Sequence, residues 1–127
     1  MLKASISVVA LGLGLSTIIA LADPDVMKGE EIFSQRCVKC HSVTEAKNGY
    51  GPYLVGIVGR PVATADGFTY SRAMWAFGKT GAVWDEPTLD AFFKKPSGLV
   101  EGTNMMTPPV YKNTERADLI AFLKSKM

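Results

Sequence analysis

The sequence predicts a small all-α domain with unusually long loops. Three observations carry that expectation. Apolar residues recur at helical spacing in the opening and closing segments of the chain. Helix caps and stops bracket four segments in total. No alternating run reads as a convincing strand, and there is no repeat or low-complexity tract. The 127 residues are enough for one domain.

The N-terminus is set apart from that domain. Lys3 is followed by an uncharged run from Ala4 to Ala22 that ends Ala20-Leu21-Ala22 before Asp23. A positive start, an apolar middle and a small-x-small end describe a cleavable secretory leader, residues 1–22, with residues 23–127 as the domain. The alternative is an uncleaved anchor, since such a run can just span a bilayer. Loss of Lys3 with the leader leaves 13 basic and 12 acidic side chains, a net charge of +1. That balance gives no basic footprint for a nucleic-acid partner. A domain this short is marginal without a metal, disulfides or a cofactor.

Asp25 is the expected cap of a first helix reaching about Arg36. Val26, Gly29, Ile32 and Phe33 share its apolar face. Gly29 costs about 1 kcal/mol relative to Ala, which close approach of a second helix explains. The helix ends at Cys37-Val38-Lys39-Cys40-His41. This is Cys-x-x-Cys-His, the pattern of covalent c-type haem attachment. The thiols form thioethers to the vinyl groups, and the histidine reaches the iron from one face. A redox disulfide would call for a strand–turn–helix context. Zinc would call for further Cys or His ligands. Both cysteines lie in this one motif, and His41 is the sole histidine.

A loop-like stretch follows, dense in turn residues at Asn48-Gly49-Tyr50-Gly51-Pro52 and again at Gly56, Gly59 and Pro61. Pro52 is spaced so that its carbonyl can sit beside the imidazole and fix its tautomer. Ser71 to Phe77 forms a short helix whose Trp75 and Phe77 call for burial. Asp85 or Glu86 caps a better one, with Pro87 in its first turn and Leu89, Phe92 and Phe93 on its apolar side. Lys94-Lys95-Pro96 ends it, and Ser97 to Tyr111 reads as irregular. Asn113 or Thr114 caps the last helix, which buries Leu119, Ile120, Phe122 and Leu123. Loops of this length are uncommon unless they do a job, and wrapping a planar cofactor is such a job.

Histidine on one face leaves the sixth iron position open. Methionine there favours electron transfer over oxygen chemistry. Of the six methionines, Met105 and Met106 lie in a stiff, Pro-rich loop far from His41. Ligand chemistry alone leaves either possible, and packing is the plain alternative for both.

At this point the chain strongly resembles class I cytochrome c, the mitochondrial type and its bacterial periplasmic relatives. The resemblance runs through Gly29-Glu30-Glu31-Ile32-Phe33, Cys37 to His41, Gly51-Pro52-Tyr53-Leu54, Gly59-Arg60, Phe68-Thr69-Tyr70 and Trp84. It continues through Gly102-Thr103-Asn104-Met105 and the closing helix from Glu115 to Leu123. It implies the class I cytochrome c fold around one covalent haem c with its iron. Cys37 and Cys40 would attach the haem, with His41 and Met105 as axial ligands. It makes Pro52 the partner of His41, and it places Arg60, Tyr70, Trp84 and Thr103 around the propionates. It also implies that the first and last helices cross at Gly29, with Phe33 and Phe122 nearby.

The implied function is periplasmic electron transfer by a monomer that binds no small-molecule substrate. The donor would be a cytochrome bc complex or a dehydrogenase. The acceptor would be a terminal oxidase, a peroxidase or a reaction centre. The rival readings are a haem subunit of a dehydrogenase complex and a small haem peroxidase or gas-binding protein with an open sixth site. Some residues depart from the family pattern. The segment from Tyr70 to Trp84 is longer, and Phe92 replaces a tyrosine that approaches the methionine sulfur. Thr107-Pro108-Pro109 is atypical, and Ser97, Gly98 and Asn104 stand where lysines are common. Arg36, Lys39, Lys94, Lys95 and Lys112 remain as a thinner basic set, so docking to an acidic partner should depend less on salt.

Overall fold

The computed structural model describes residues 12–17 and 22–127. Most of the leader expected at 1–22 therefore lies outside the described residues. No helix among the described residues is long and apolar enough to cross a membrane. Five helices follow in order: α1 (Val26–Arg36), α2 (Arg72–Lys79), α3 (Glu86–Lys94), α4 (Pro96–Leu99) and α5 (Asn113–Lys124). Strands are absent among the described residues apart from a single antiparallel bridge between Pro61 and Val83.

The expected caps hold for α1 and α3, and α2 has a cap at Ser71 that was not expected. The Asp25 carboxylate accepts from the backbone N–H groups of Met27 and Lys28, and Ser71 and Asp85 cap α2 and α3 through Met74 and Thr88. Such caps satisfy donors that a helix start leaves without partners. Hydrogen bonds from Thr88 also hold the Asp85 carboxyl below its ordinary range. For α5 the expectation of a side-chain cap fails. Lys112 occupies the N-cap and offers no side-chain acceptor, while Asn113 accepts only from its neighbour Thr114. α4 falls where an irregular chain was expected. Pro96 at its start supplies the helical φ that its sequence otherwise does not advertise.

α1 and α5 cross without clearance. A methyl group on Gly29 would fall 2.6 Å from the carbonyl carbon of Asp118 and 2.7 Å from Cβ of Phe122. The Phe33 and Phe122 rings meet at 5.5 Å beside this crossing. The Asp25 N–H donates to the Asp118 carboxylate at 2.7 Å, which pins the start of α1 to the same helix. Val26 stays 42% exposed, so the apolar face of α1 is narrower than the periodicity implied. Trp75 likewise lies half exposed under the Lys79 ammonium, while Phe77 packs against Trp84.

One charged residue lies in the core. Arg116 is 5% exposed and falls on the same helical stripe as Leu119, Ile120 and Leu123. Its guanidinium donates to the Asp90 carboxylate on α3 at 2.7 Å and to the carbonyls of Val110 and Tyr111 at 2.9 and 2.8 Å. It thereby joins α3, α5 and the end of the 100–112 segment. The long loop before α2 is tied down by backbone bonds, Gly59 to Trp84, Trp84 to Arg60 and Val62 to Ala82.

Four stability outcomes follow from this packing. Gly29→Val should cost about 3 kcal/mol in denaturant unfolding, because backbone and a Cβ on α5 must move. Gly98→Ala should cost under about 1 kcal/mol, since only the flexible Lys95 side chain faces it. Arg116→Ala should cost about 2–3 kcal/mol by leaving two carbonyls without their donor. Asp90→Asn should cost under about 1 kcal/mol, since that carboxylate is partly exposed.

Candidate haem site

The attachment motif is a helical turn that continues α1. The Cys37 and Val38 amides donate to the Phe33 carbonyl, and those of Cys40 and His41 donate to the Cys37 carbonyl. Residues three and four apart thus share a face, which turns Cys37, Cys40 and His41 to one cavity. The crossing at Gly29 fixes where this turn emerges.

His41 is held by the Gly51-Pro52 segment. Its Nδ1 lies 2.7 Å from the Pro52 carbonyl oxygen. A carbonyl can only accept, so Nδ1 carries the proton and Nε2 keeps its lone pair for a metal. A Cβ on Gly51 would land on the imidazole, 2.7 Å from Nδ1 and 2.8 Å from Nε2. Glycine is thus required by the ring that packs on it. Burial pushes the His41 pKa down, against the opposing pull of the Pro52 carbonyl, which favours the neutral, ligating form. The Asn48 side chain braces the same loop. It accepts from the Tyr53 N–H and donates to the Asp66 carbonyl.

Both cysteines are free thiols. Burial pushes the Cys37 pKa up to about 11, with Arg36 opposing the shift. That burial disfavours the thiolate needed for disulfide exchange at Cys37, although Cys40 is exposed. The zinc alternative is weakened as well, because no group of three or more His, Cys, Asp or Glu that could hold a metal ion occurs among the described residues.

The cavity has a volume of about 540 Å³, well within the range of cofactor pockets. Cys37, Cys40, His41, Pro52, Arg60, Tyr70, Trp84, Thr103 and Met105 all line it. Leu54, Ile57, Leu89, Phe92, Leu119 and Leu123 give it apolar walls. Trp84 is buried and set by Phe92, whose ring lies 5.1 Å away.

The polar lining is oriented by the loops. Arg60 donates to the carbonyls of Tyr53 and Val55 and lies over the Tyr53 ring. The Tyr70 hydroxyl accepts from the Ala65 N–H at 2.9 Å, which leaves its own proton free to donate. Burial raises the Tyr70 pKa, with the Ala65 N–H and the Arg60 charge opposing. Thr103 Oγ1 accepts from the Met105 N–H at 3.2 Å. Met105 packs against the core, whereas Met106 is 87% exposed. Two thiols, an imidazole with a free Nε2, a thioether, apolar walls and neutral or cationic donors fit a planar apolar ring with a metal centre and acidic substituents.

Sequence reasoning gave Gly51 no role of its own and missed Asn48 and Arg116. It also read Arg36 as a docking cation. In the structure the Arg36 guanidinium donates to the Pro108 and Pro109 carbonyls at 3.4 and 3.1 Å. Arg116 was detectable as a charge on an apolar stripe. The other three depend on contacts between segments distant in the chain.

Comparison with known proteins agrees with this geometry. The cytochrome c family model matches residues 26–126. Cytochrome c2 of Rhodomicrobium vannielii is 41% identical, with 84% of this chain and 83% of that protein covered. Cytochrome c of Chlamydomonas reinhardtii is also 41% identical, covering 87% and 96%. The structure of cytochrome cH from Methylobacterium extorquens superposes with a TM-score of 0.72 at 37% identity, covering 80% of this chain and 99% of that one. The helical fold, the attachment motif and these relatives together establish that the chain belongs to the class I cytochrome c family, a haem c protein that passes electrons to redox protein partners and is not an enzyme.

Proposed function

We propose that the protein is a monomeric periplasmic electron carrier with one haem c, attached through Cys37 and Cys40 and ligated by His41 and Met105. The observation that carries this reading is the shared cavity. Both thiols, the oriented imidazole and the core-packed Met105 line one space with apolar walls. The donor would be a cytochrome bc complex or a dehydrogenase, and the acceptor a terminal oxidase or a reaction centre. Residues 1–22 would direct export and be removed after Ala22. The sequence pattern at Lys3 to Ala22 supports that, and the similarity to bacterial cytochromes c2 and cH supports the periplasmic reading.

Haem iron supplies one-electron chemistry between its ferric and ferrous states. The chain's own residues make that exchange inexpensive in reorganisation. Pro52 and Gly51 hold the His41 ring in one orientation and one tautomer. Leu54, Ile57, Phe92 and Leu119 line the cavity with apolar side chains that would exclude water from a bound haem. Arg60, Tyr70, Trp84 and Thr103 offer donors to the acidic substituents. Phe92 brings no hydroxyl to the Met105 side, so the thioether there lacks the hydrogen bond that a tyrosine would give. With both axial positions filled, a peroxidase or gas-binding role has no open site.

Three results test this reading. The ferric protein should show the far-red sulfur–iron charge-transfer band. Met105→Ala should abolish that band and Met106→Ala should keep it. A wild type without the band that binds cyanide rapidly would refute the carrier reading. Gly51→Ala should destabilise the holoprotein by about 2–3 kcal/mol and perturb the His41-side spectrum, since the new methyl meets the ring. N-terminal sequencing of the mature protein should begin at Asp23, and a retained Lys3 would favour the anchored form.

A further inference from the structure

The segment behind Met105 has an unusual way of being held. Thr107 is followed by Pro108 and Pro109, neither of which has an amide hydrogen to donate. That stretch can be anchored only through its carbonyls, and guanidinium groups take four in succession. Arg36 donates to Pro108 and Pro109. Arg116 donates to Val110 and Tyr111. The Val110 amide adds a bond to the Phe93 carbonyl at 2.9 Å.

Arg116 works from α5, on the core side. Arg36 works from the other side of the cavity. It is the last residue of α1 and directly precedes Cys37. Its charge suits the C-terminal end of that helix. Among the described residues, Arg36 provides the hydrogen bonds that join the α1 and motif side (26–41) to the segment 103–111. Pro108 lies three residues past Met105, and a pinned Pro-Pro unit has little freedom to let that methionine swing.

We propose that Arg36 is a positioning residue for Met105, a clasp across the cavity mouth that keeps the thioether on the iron. This rests on the reading of Met105 as sixth ligand. Loss of the clasp lets the 103–109 loop lift while the Arg116 anchor holds, so an outside ligand competes with Met105 more easily. Both bonds leave from one guanidinium nitrogen, Nη1; lysine keeps the charge, but its shorter reach meets those two carbonyls less fully.

The test uses the ferric holoprotein with imidazole as competing ligand. Arg36→Gln should keep the charge-transfer band but lower the imidazole concentration at half displacement by about three- to tenfold, the scale of one ordinary net hydrogen bond at an exposed position. Arg36→Lys should fall between Arg36→Gln and wild type, and Lys39→Gln should match wild type. If Arg36→Gln does not accumulate as holoprotein, the Arg36→Lys titration decides alone. An imidazole titration of Arg36→Gln that matches wild type overturns the proposal, even if its denaturation midpoint falls. So does an equal shift in Lys39→Gln, which would mean that net charge alone matters. A wild type with no band overturns the Met105 reading and this proposal with it. A wild type with the band and an unshifted Arg36→Gln overturns this proposal only.

Discussion

The crossing of α1 and α5 at Gly29 is the constraint on which the rest depends. The two helices touch through backbone at a point where even a methyl group does not fit. That contact fixes the axis of α1, and the axis fixes where Cys37, Cys40 and His41 emerge, about two to three turns later. The same helix α5 supplies Leu119 and Leu123 to the cavity wall and Arg116 to the segment beyond Met105. Position and orientation on both sides of the cavity therefore trace to one close approach. A glycine that weakens α1 taken by itself is what permits the approach.

The site is built by division of labour between helices and loops. α1 delivers the attachment turn as a rigid extension. Loops deliver the remaining polar groups, and each is braced by a bond of its own. Pro52 faces His41, Asn48 braces the turn before it, and Ala65 holds Tyr70. This explains how so much irregular chain can be well defined. Its backbone bonds run to distant segments, such as Gly59 to Trp84, in place of a regular ladder. The 54–60 and 82–84 stretches act as walls although only one bridge qualifies as β structure.

Much of this was legible in the sequence, for identifiable reasons. Cys37 to His41 is a local pattern with one chemistry, and the caps at Asp25 and Asp85 are local as well. Gly29 stood out because it interrupts an apolar face. Other features escaped because they are not local. The start of α5 has no side-chain cap, so Lys112 left no mark of a boundary. α4 is one turn long, below the length at which periodicity speaks. Gly51 looked like any turn glycine, since the imidazole that needs its bare face is ten residues away. Ligand chemistry left Met105 and Met106 equivalent, while burial separates them: one packs on the core and its neighbour faces water. The basic set read as docking surface also divides. Arg36 is engaged by loop carbonyls and Lys112 pairs with Glu115 at 3.5 Å, while both remain exposed.

The Asp25–Asp118 bond joins residues 93 apart in sequence, and this has a bearing on how the protein is made. A chain that emerges N-terminus first presents its attachment motif early and the helix that seals it last. Until α5 has emerged, Gly29 has no partner and the cavity lacks the Leu119 and Leu123 wall. The thiols of Cys37 and Cys40 thus stay accessible throughout most of the chain's delivery. Topology alone gives cofactor attachment its opportunity before the fold closes over the site.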